Sequence, residues 1–459
     1  RTDFLPPGTS FGDNIGSPFV RGQTWWSHMP EFTRYLSRCT YMLERGRPVS
    51  DVLFYLGDEL GHKPRQTMPV PDRYQYDYCN HDILMNRLSV KDGRIETPEG
   101  LSYRLIWLQN TRRMLPETIE RLADLVKQGA VVVGDPPANI ATLIGGQQSE
   151  KRFHEAVKSL WGESGETERP LGKGLVLSGI SVEEALKKLN IESDLSVESI
   201  NNGRADDLLW LHRQINSADW YFVAAPQAAE GFAGTLRFRS AGKAELWDPV
   251  TGKITDAKVA KKEDNNTYVE VALPPSGSVF IVFKAGEKAS GTNENNLFEK
   301  RVLPVNSRWR IEFPGGWGAP DSLFTDSLKP WKDLNLSEEG RAFSGTATYK
   351  TEFNLDSQVS PKQALLDLGR VNMVAKVMVN GKVAGTVWTE PYIIDITEQV
   401  KNGFNELEIE VTGTWFNRLV FDAGQSEAER KTWTIKGPSE KEELISYGLL
   451  KPVNIIISD

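Results

Sequence analysis

Beyond Pro30, apolar residues recur at Phe32, Tyr35, Leu36, Cys39, Met42 and Leu43. That three-and-four spacing predicts one face of a helix, and Gly46 stands where a helix stop is expected. A loop rich in Gly and Pro precedes it. One amphipathic helix cannot cover its own apolar stripe, so it is expected to pack on something else. From Asp51 the pattern changes. Residues 51–56, 105–108, 130–134 and 174–178 are short, nearly continuous apolar runs. Between them, Pro116 opens a helical pattern through Ile119, Leu122, Leu125 and Val126 that Gly129 ends, and Ser181 with Glu184 forms a capping-box pair ahead of a helix reaching Leu189. Strand and helix in alternation, with strands apolar on both sides, predict a parallel sheet covered on both faces, a flavodoxin-like α/β layer.

After about residue 205 the elements shorten and the helical period disappears. Residues 208–213, 220–225, 234–239, 243–247, 269–273 and 278–283 read as strands, with 248–252 as a hairpin loop. Residues 284–296, rich in Gly, Ser, Asn and Glu, are the best linker candidate. A second β block follows. Residues 374–379 alternate apolar and polar, Asn380-Gly381 supplies a tight hairpin turn, 382–388 return, and 405–411 alternate again. The pattern therefore predicts a helical stub, an α/β domain and two β-sandwiches.

Composition narrows the class. A formal net charge of −8 with scattered Lys and Arg argues against a nucleic-acid partner, since phosphate binding needs clustered cations. No stretch reaches the roughly 20 apolar residues of a membrane span. The chain starts at Arg1 without a signal-peptide pattern, and is expected to continue upstream. Cys39 and Cys79 are the two cysteines; Cys39 lies on the apolar helical stripe, so a buried free thiol is expected rather than a disulfide. Thirteen Trp, twelve Tyr and nineteen Phe are many, and an indole presents a flat apolar face to the C–H face of a pyranose, although β-sandwich cores also consume aromatics.

Candidate chemistry is sparse. Gly172-Lys173-Gly174 lacks phosphate-loop spacing, and His28, His62, His81, His154 and His212 form no HxH or HExxH arrangement. Asp58-Glu59 follows a strand at the edge of a parallel sheet, where ligands commonly bind; Asp77, Asn80 and Asp82 lie close together. Either group suits an acid, a base or oxygen ligation of Ca²⁺, against the plainer reading of solvated loops and helix caps. Gln23-Thr24-Trp25-Trp26 sits in a polar loop, where adjacent indoles are hard to bury together. At least one is expected to be exposed as a sugar platform or to pack on a domain that this sequence lacks. Substrate-binding candidates are thus Gln23, Trp25, Trp26 and His28, with Asp58 and Glu59; no catalytic residue or metal ligand is assigned.

Residues 22–26, 35–38 and 49–58 resemble the end of the catalytic (β/α) barrel in family 106 α-L-rhamnosidases. Residues 77–82 and 93–137 resemble that family's amidotransferase-like α/β domain, and 211–213 with 221–223 its next β-sandwich. Residues 343–349, 367–370, 379–382, Trp388, Pro391-Tyr392 and 448–453 resemble the galactose-binding-like jelly roll of family 2 glycosidases. The resemblance implies a barrel stub over 1–48, the α/β domain over 49–203, a β-sandwich over 204–290 and the jelly roll over 297–459. It further implies a secreted or periplasmic enzyme that releases terminal rhamnose from an oligosaccharide or polysaccharide with inversion, using two glutamates and assisted by calcium. Neither glutamate maps onto this sequence, so both are expected in an upstream barrel, leaving this chain inactive alone. A non-catalytic carbohydrate-binding protein, or the accessory domains of another exo-glycosidase such as a β-galactosidase, are the alternatives.

Overall fold

The computed structural model describes residues 7–9, 19–58, 71, 73–108, 112–163, 166–226, 228–286, 300–355 and 362–458. Most of the linker candidate, from 287 onward, lies outside them. The predicted helix is Met29–Glu44, with Pro30 in its first turn, where the missing N–H costs nothing. Arg45 closes it in an extended conformation. Gly46 follows at φ +68°, and a Cβ there would lie 2.5 Å from the Gln214 carbonyl oxygen. Only glycine allows the chain to turn that close to the next domain.

The α/β layer is a six-stranded sheet in the order Glu168–Leu171, Gly174–Leu177, Val131–Val133, Leu105–Trp107, Val52–Tyr55, Tyr76–Cys79. All neighbours are parallel except the edge hairpin Glu168–Leu171 with Gly174–Leu177. Numbered along the chain, the parallel strands run 2-1-3-4-5, the flavodoxin-like arrangement. Val52–Tyr55 is buried along its whole length. One face packs on Pro116–Gln128 and Gly146–Trp161 through Ile119, Leu122, Phe153 and Leu160, and the other on Val182, Ala185 and Leu186. The Ser181–Glu184 capping box forms as patterned.

The β-sandwich pairs a six-stranded sheet, Leu209–Ile215, Ala218–Ala224, Ser278–Lys284, Lys243–Trp247, Ile254–Asp256 and the short Arg47–Pro48, with a four-stranded one. Tyr221, Phe232, Phe238, Ile281 and Phe283 fill the space between. Leu195–Asn202, which lies before the expected boundary at 204, pairs antiparallel with Phe232–Phe238. Arg47–Pro48 likewise pairs with Leu209–Ile215. The sandwich therefore recruits an edge strand from each side, and neither was patterned clearly because its outward residues are polar.

The second β block is a two-sheet sandwich around Trp309, Trp331, Phe343, Tyr349, Val377, Ile409 and Tyr447. Its Val374–Val379 and Lys382–Val387 hairpin turns at Asn380-Gly381, both at positive φ. The Met29–Glu44 helix lies between the two β domains. Cys39, Met42 and Leu43 pack on Trp220, Phe280 and Val282 of the sandwich, and Phe32 and Tyr35 meet the edge of Trp388 from the jelly roll, each at 5.4 Å between ring centres. Among the described residues this helix joins no barrel. Both cysteines are buried free thiols, and no described helix is long and apolar enough to cross a membrane.

Candidate functional site

The predicted site residues fall into two separate neighbourhoods. Gln23, Trp25, Trp26 and His28 lie in the loop and single 3-10 turn that lead into the Met29–Glu44 helix. The Gln23 side-chain amide donates to the Thr9 carbonyl, and the Trp26 N–H to that of Gln23. The Trp25 ring meets the edge of Phe19 at 5.7 Å. His28 Nε2 lies 3.1 Å from Thr412 Oγ1 in the jelly roll. Burial lowers the imidazole pKa and Lys376 adds to that, outweighing Glu410 and Glu31, so His28 works here as a neutral hydrogen-bonding group. The Trp415 indole donates to the Gly22 carbonyl at 2.7 Å and leans on Trp317. This loop is thus pinned to the jelly roll. Of the four residues, Trp26 presents the most exposed ring, 37% accessible.

Asp58 stands beyond the carboxyl end of Val52–Tyr55, beside the point where the strand order reverses, the usual ligand position in such sheets. Its side chain is only 1% exposed. It accepts the Leu115 N–H at 2.7 Å, the Thr118 hydroxyl at 3.0 Å and the Tyr55 phenol, and His81 Nδ1 lies 3.0 Å from Oδ1. Leu115 and Thr118 begin the Pro116–Gln128 helix, whose orphan N–H groups and dipole favour a carboxylate there. Burial and the neighbouring Asp58 carboxylate push the Tyr55 phenol up. His81, 41% exposed, is held by one nitrogen as in an acid–base dyad, but the nearby Cys79 is no nucleophile. Burial raises its thiol to about 12. The helix-cap reading prevails for Asp58. Glu59 lies outside the described residues. His81 and Thr118, which complete this group, come from segments 23 and 60 residues further along the chain; no local pattern links them.

The carboxylates considered for calcium are committed elsewhere. The Asn80 side chain caps the His81–Asn86 helix through the Ile83 N–H, Asp82 accepts from Asn86, and Asp77 accepts the Tyr103 hydroxyl. No group of three or more His, Cys, Asp or Glu side chains arranged to hold a metal ion is present among the described residues. The residues present do not fit a calcium ion.

A charged cluster that no motif announced joins the α/β layer to the sandwich. Buried His212 places Nδ1 2.8 Å from Asp194 and Nε2 3.3 Å from Asp219, and stacks on Tyr221 at 3.9 Å. The Tyr221 hydroxyl donates to Asp194, and Arg239 clamps both oxygens of Asp51 at 3.0 and 3.1 Å. Burial alone would lower the His212 pKa, but the carboxylates of Asp194 and Asp219 outweigh it and hold it above the ordinary value.

Two clefts stand out. One, of about 370 Å³, opens at the carboxyl edge of the parallel sheet near Asp135, Trp161, Glu163 and Glu166. Asp135 accepts the Gly179 N–H, Glu166 faces Arg169, and Glu163 pairs with Lys158. Its carboxylates are therefore engaged and face no shared vacancy of the kind a hydrolytic pair requires. The other, of about 400 Å³, lies between the Met29–Glu44 helix and the sandwich.

Residues 2–261 match the sequence profile described as alpha-L-rhamnosidase, glycosyl hydrolase family 106, and 327–442 that of the glycosyl hydrolase 2 galactose-binding domain-like module. The structure of a rhamnosidase from Novosphingobium sp. PP1Y superposes over 99% of this chain with a TM-score of 0.86 and 30% identity, covering 43% of that protein. A putative beta-glucuronidase of Formosa agariphila is 23% identical over 96% of this chain and 58% of its own length. The chain thus spans about half the length of the proteins it matches.

Proposed function

The chain belongs to the α-L-rhamnosidase family, glycosyl hydrolase family 106, and we propose from that premise that it is the C-terminal, accessory part of a secreted or periplasmic enzyme that releases terminal α-L-rhamnose from glycans with inversion. The observation that carries this reading is the superposition on a rhamnosidase along 99% of the chain at 30% identity. The two carboxylates of the reaction, spaced roughly 6.5–9.5 Å to admit a water, belong to an upstream (β/α) barrel in this reading. The engagement of Asp58, Asp135, Glu163 and Glu166 by local partners supports that division of labour. The described domains then act as a frame. The helix Met29–Glu44, wedged between two β domains, fixes the direction from which the chain enters, and Trp26 stands on that entry as an open ring for a sugar. In such a role calcium is held outside the described residues.

The test is hydrolysis of p-nitrophenyl α-L-rhamnopyranoside by this chain and by a polypeptide that includes the upstream residues. The longer protein is expected to act and this chain to be inert; turnover by this chain alone sinks the accessory role. Proton NMR of the first-formed sugar is expected to show the β-anomer, and the α-anomer would exclude inversion. Faster cleavage of an aryl β-D-galactopyranoside would move the assignment to the other exo-glycosidase class. In the longer protein, Trp26→Ala is expected to raise KM roughly fivefold while leaving kcat and thermal stability near the parent values, because an exposed ring contributes binding that is uniform along the reaction.

A further inference from the structure

The cleft of about 400 Å³ beside the Met29–Glu44 helix combines exposed apolar side chains with two arginines. Its apolar part is built from Tyr41, Trp247, Ile254 and Phe280. Phe280 belongs to the packed interface beneath, but Tyr41 and Ile254 are 56% and 54% exposed, and the Trp247 ring is partly open. The indole N–H of Trp247 is turned inward to Glu245 Oε2 at 3.0 Å, so its polar edge is already satisfied. Its remaining surface is apolar.

The mouth is cationic. Arg34 and Arg38 both border the cleft and stand one helical turn apart on the same face. Like charges at that spacing repel along a helix. Local conflicts of this kind gather at functional positions. Arg38 donates one guanidinium nitrogen to the carbonyls of Pro249 and Val250, which holds its plane over Gly252. Arg34 spends one nitrogen on Glu31. Glu31 offsets part of this charge at Arg34, but the other acids nearby are engaged elsewhere. Asp248 is folded into its own turn by the Val250 N–H and the Thr251 hydroxyl, and Glu245 is buried against Lys243 and Lys284.

An apolar, partly aromatic wall beside two guanidinium groups is matched by a ring with one apolar face and an anionic substituent. We propose that this cleft is a carbohydrate-binding subsite that takes a pyranose bearing a carboxylate or sulfate. The sugar lays its C–H face along Trp247 and Ile254, and its anion meets the Arg34 and Arg38 guanidiniums, which suit oxyanions bidentately. The inference rests on the proposal that the chain serves a glycan-acting enzyme, but its test does not use hydrolysis, so the two fail separately.

The experiment is isothermal titration of this chain with a tetragalacturonate, with a sulfated neutral tetrasaccharide, and with maltotetraose as the uncharged control. Binding of either anionic probe at least tenfold tighter than maltotetraose, weakening as salt rises, supports the subsite, and the stronger of the two identifies the source of the anion. Arg34→Ala is expected to reduce that affinity roughly tenfold, the size of one charge-assisted contact, and Tyr41→Ala to reduce it severalfold. Both residues are surface-exposed, so an unchanged melting temperature accompanies the loss. If a variant melts early, the parent protein's chemical-shift map decides. Shifts of the Trp247 indole and the Arg34 and Arg38 guanidinium signals on adding tetragalacturonate sustain the proposal. No binding of either anionic probe, equal binding of maltotetraose, or shifts confined to another surface overturns it.

Discussion

At the scale of single residues, the most consequential side chains are those whose partners are remote in sequence. Asp58 receives four groups from three other places in the α/β layer while being almost fully buried. Removing it leaves the Leu115 N–H and the hydroxyls of Thr118 and Tyr55 without their acceptor. Asp58→Ala is expected to lower stability by about 3 kcal/mol in urea unfolding, and a loss below about 1 kcal/mol would show the cap to be incidental. His212 makes a pH-dependent contribution. Its folded pKa lies above the unfolded value because Asp194 and Asp219 outweigh burial, so its stabilisation is complete below about pH 6.5 and fades as pH rises through the folded pKa. Unfolding measured from pH 6 to pH 9 should show the parent losing stability relative to His212→Gln across that window. Parallel curves would remove the imidazolium from the account. Neither side chain was legible as a partner in the sequence. Asp58 was visible as an acid after a strand, with a helix cap among its readings, but a strand-end acid does not reveal which helix it caps. His212 was one of five scattered histidines, because Asp194 and Asp219 flank it only once the sandwich has closed.

At the scale of elements, the Met29–Glu44 helix shows how much a hydrophobic period can carry. Its stripe correctly required a partner, and Cys39, Met42 and Leu43 meet the sandwich while Phe32 and Tyr35 meet Trp388. The helix is additionally tied by bonds a pattern cannot show. The Trp220 indole donates to the Met42 carbonyl, Arg38 donates to Pro249 and Val250, and the Tyr35 phenol sits 3.0 Å from Ser278 Oγ. Trp388 is the jelly roll's aromatic contact with that helix, so Trp388→Ala should weaken the junction more than the domains. Calorimetry is expected to resolve a jelly-roll transition separate from the rest, at a cost of about 2 kcal/mol. A single transition shifted as a whole would mean that other contacts carry the coupling. The Asn380-Gly381 hairpin and the Ser181–Glu184 capping box were readable because their geometry is set within a few residues. The edge strands Leu195–Asn202 and Arg47–Pro48 were not, since an edge strand acquires its identity from the sheet that accepts it.

At the scale of the whole molecule, three folded layers meet at two polar or aromatic seams. One is the Trp388 contact; the other is the cluster of Asp51, Asp194, His212 and Arg239 between the α/β layer and the sandwich. In Arg239, the carboxylates of Asp194 and Asp51 more than offset the lowering by burial, raising its pKa. Arg239→Ala would leave those carboxylates buried without their cation. The expected loss is about 3–5 kcal/mol, read as an earlier melt of the α/β layer and sandwich while the jelly roll melts near its parent temperature. Uniform destabilisation of all three would contradict the seam's local character.

The sequence by itself determined the order of the folded layers, the parallel α/β sheet, and the hairpins and caps. These follow from periodicity and turn chemistry acting over a few residues. Only the tertiary structure decided that Asp58 caps a helix, that the loop of Trp25 and Trp26 is pinned to the jelly roll, and that the candidate calcium carboxylates are already engaged. Each outcome depends on donors and acceptors brought together from distant parts of the chain, because a buried polar group finds its partner in space and not along the sequence.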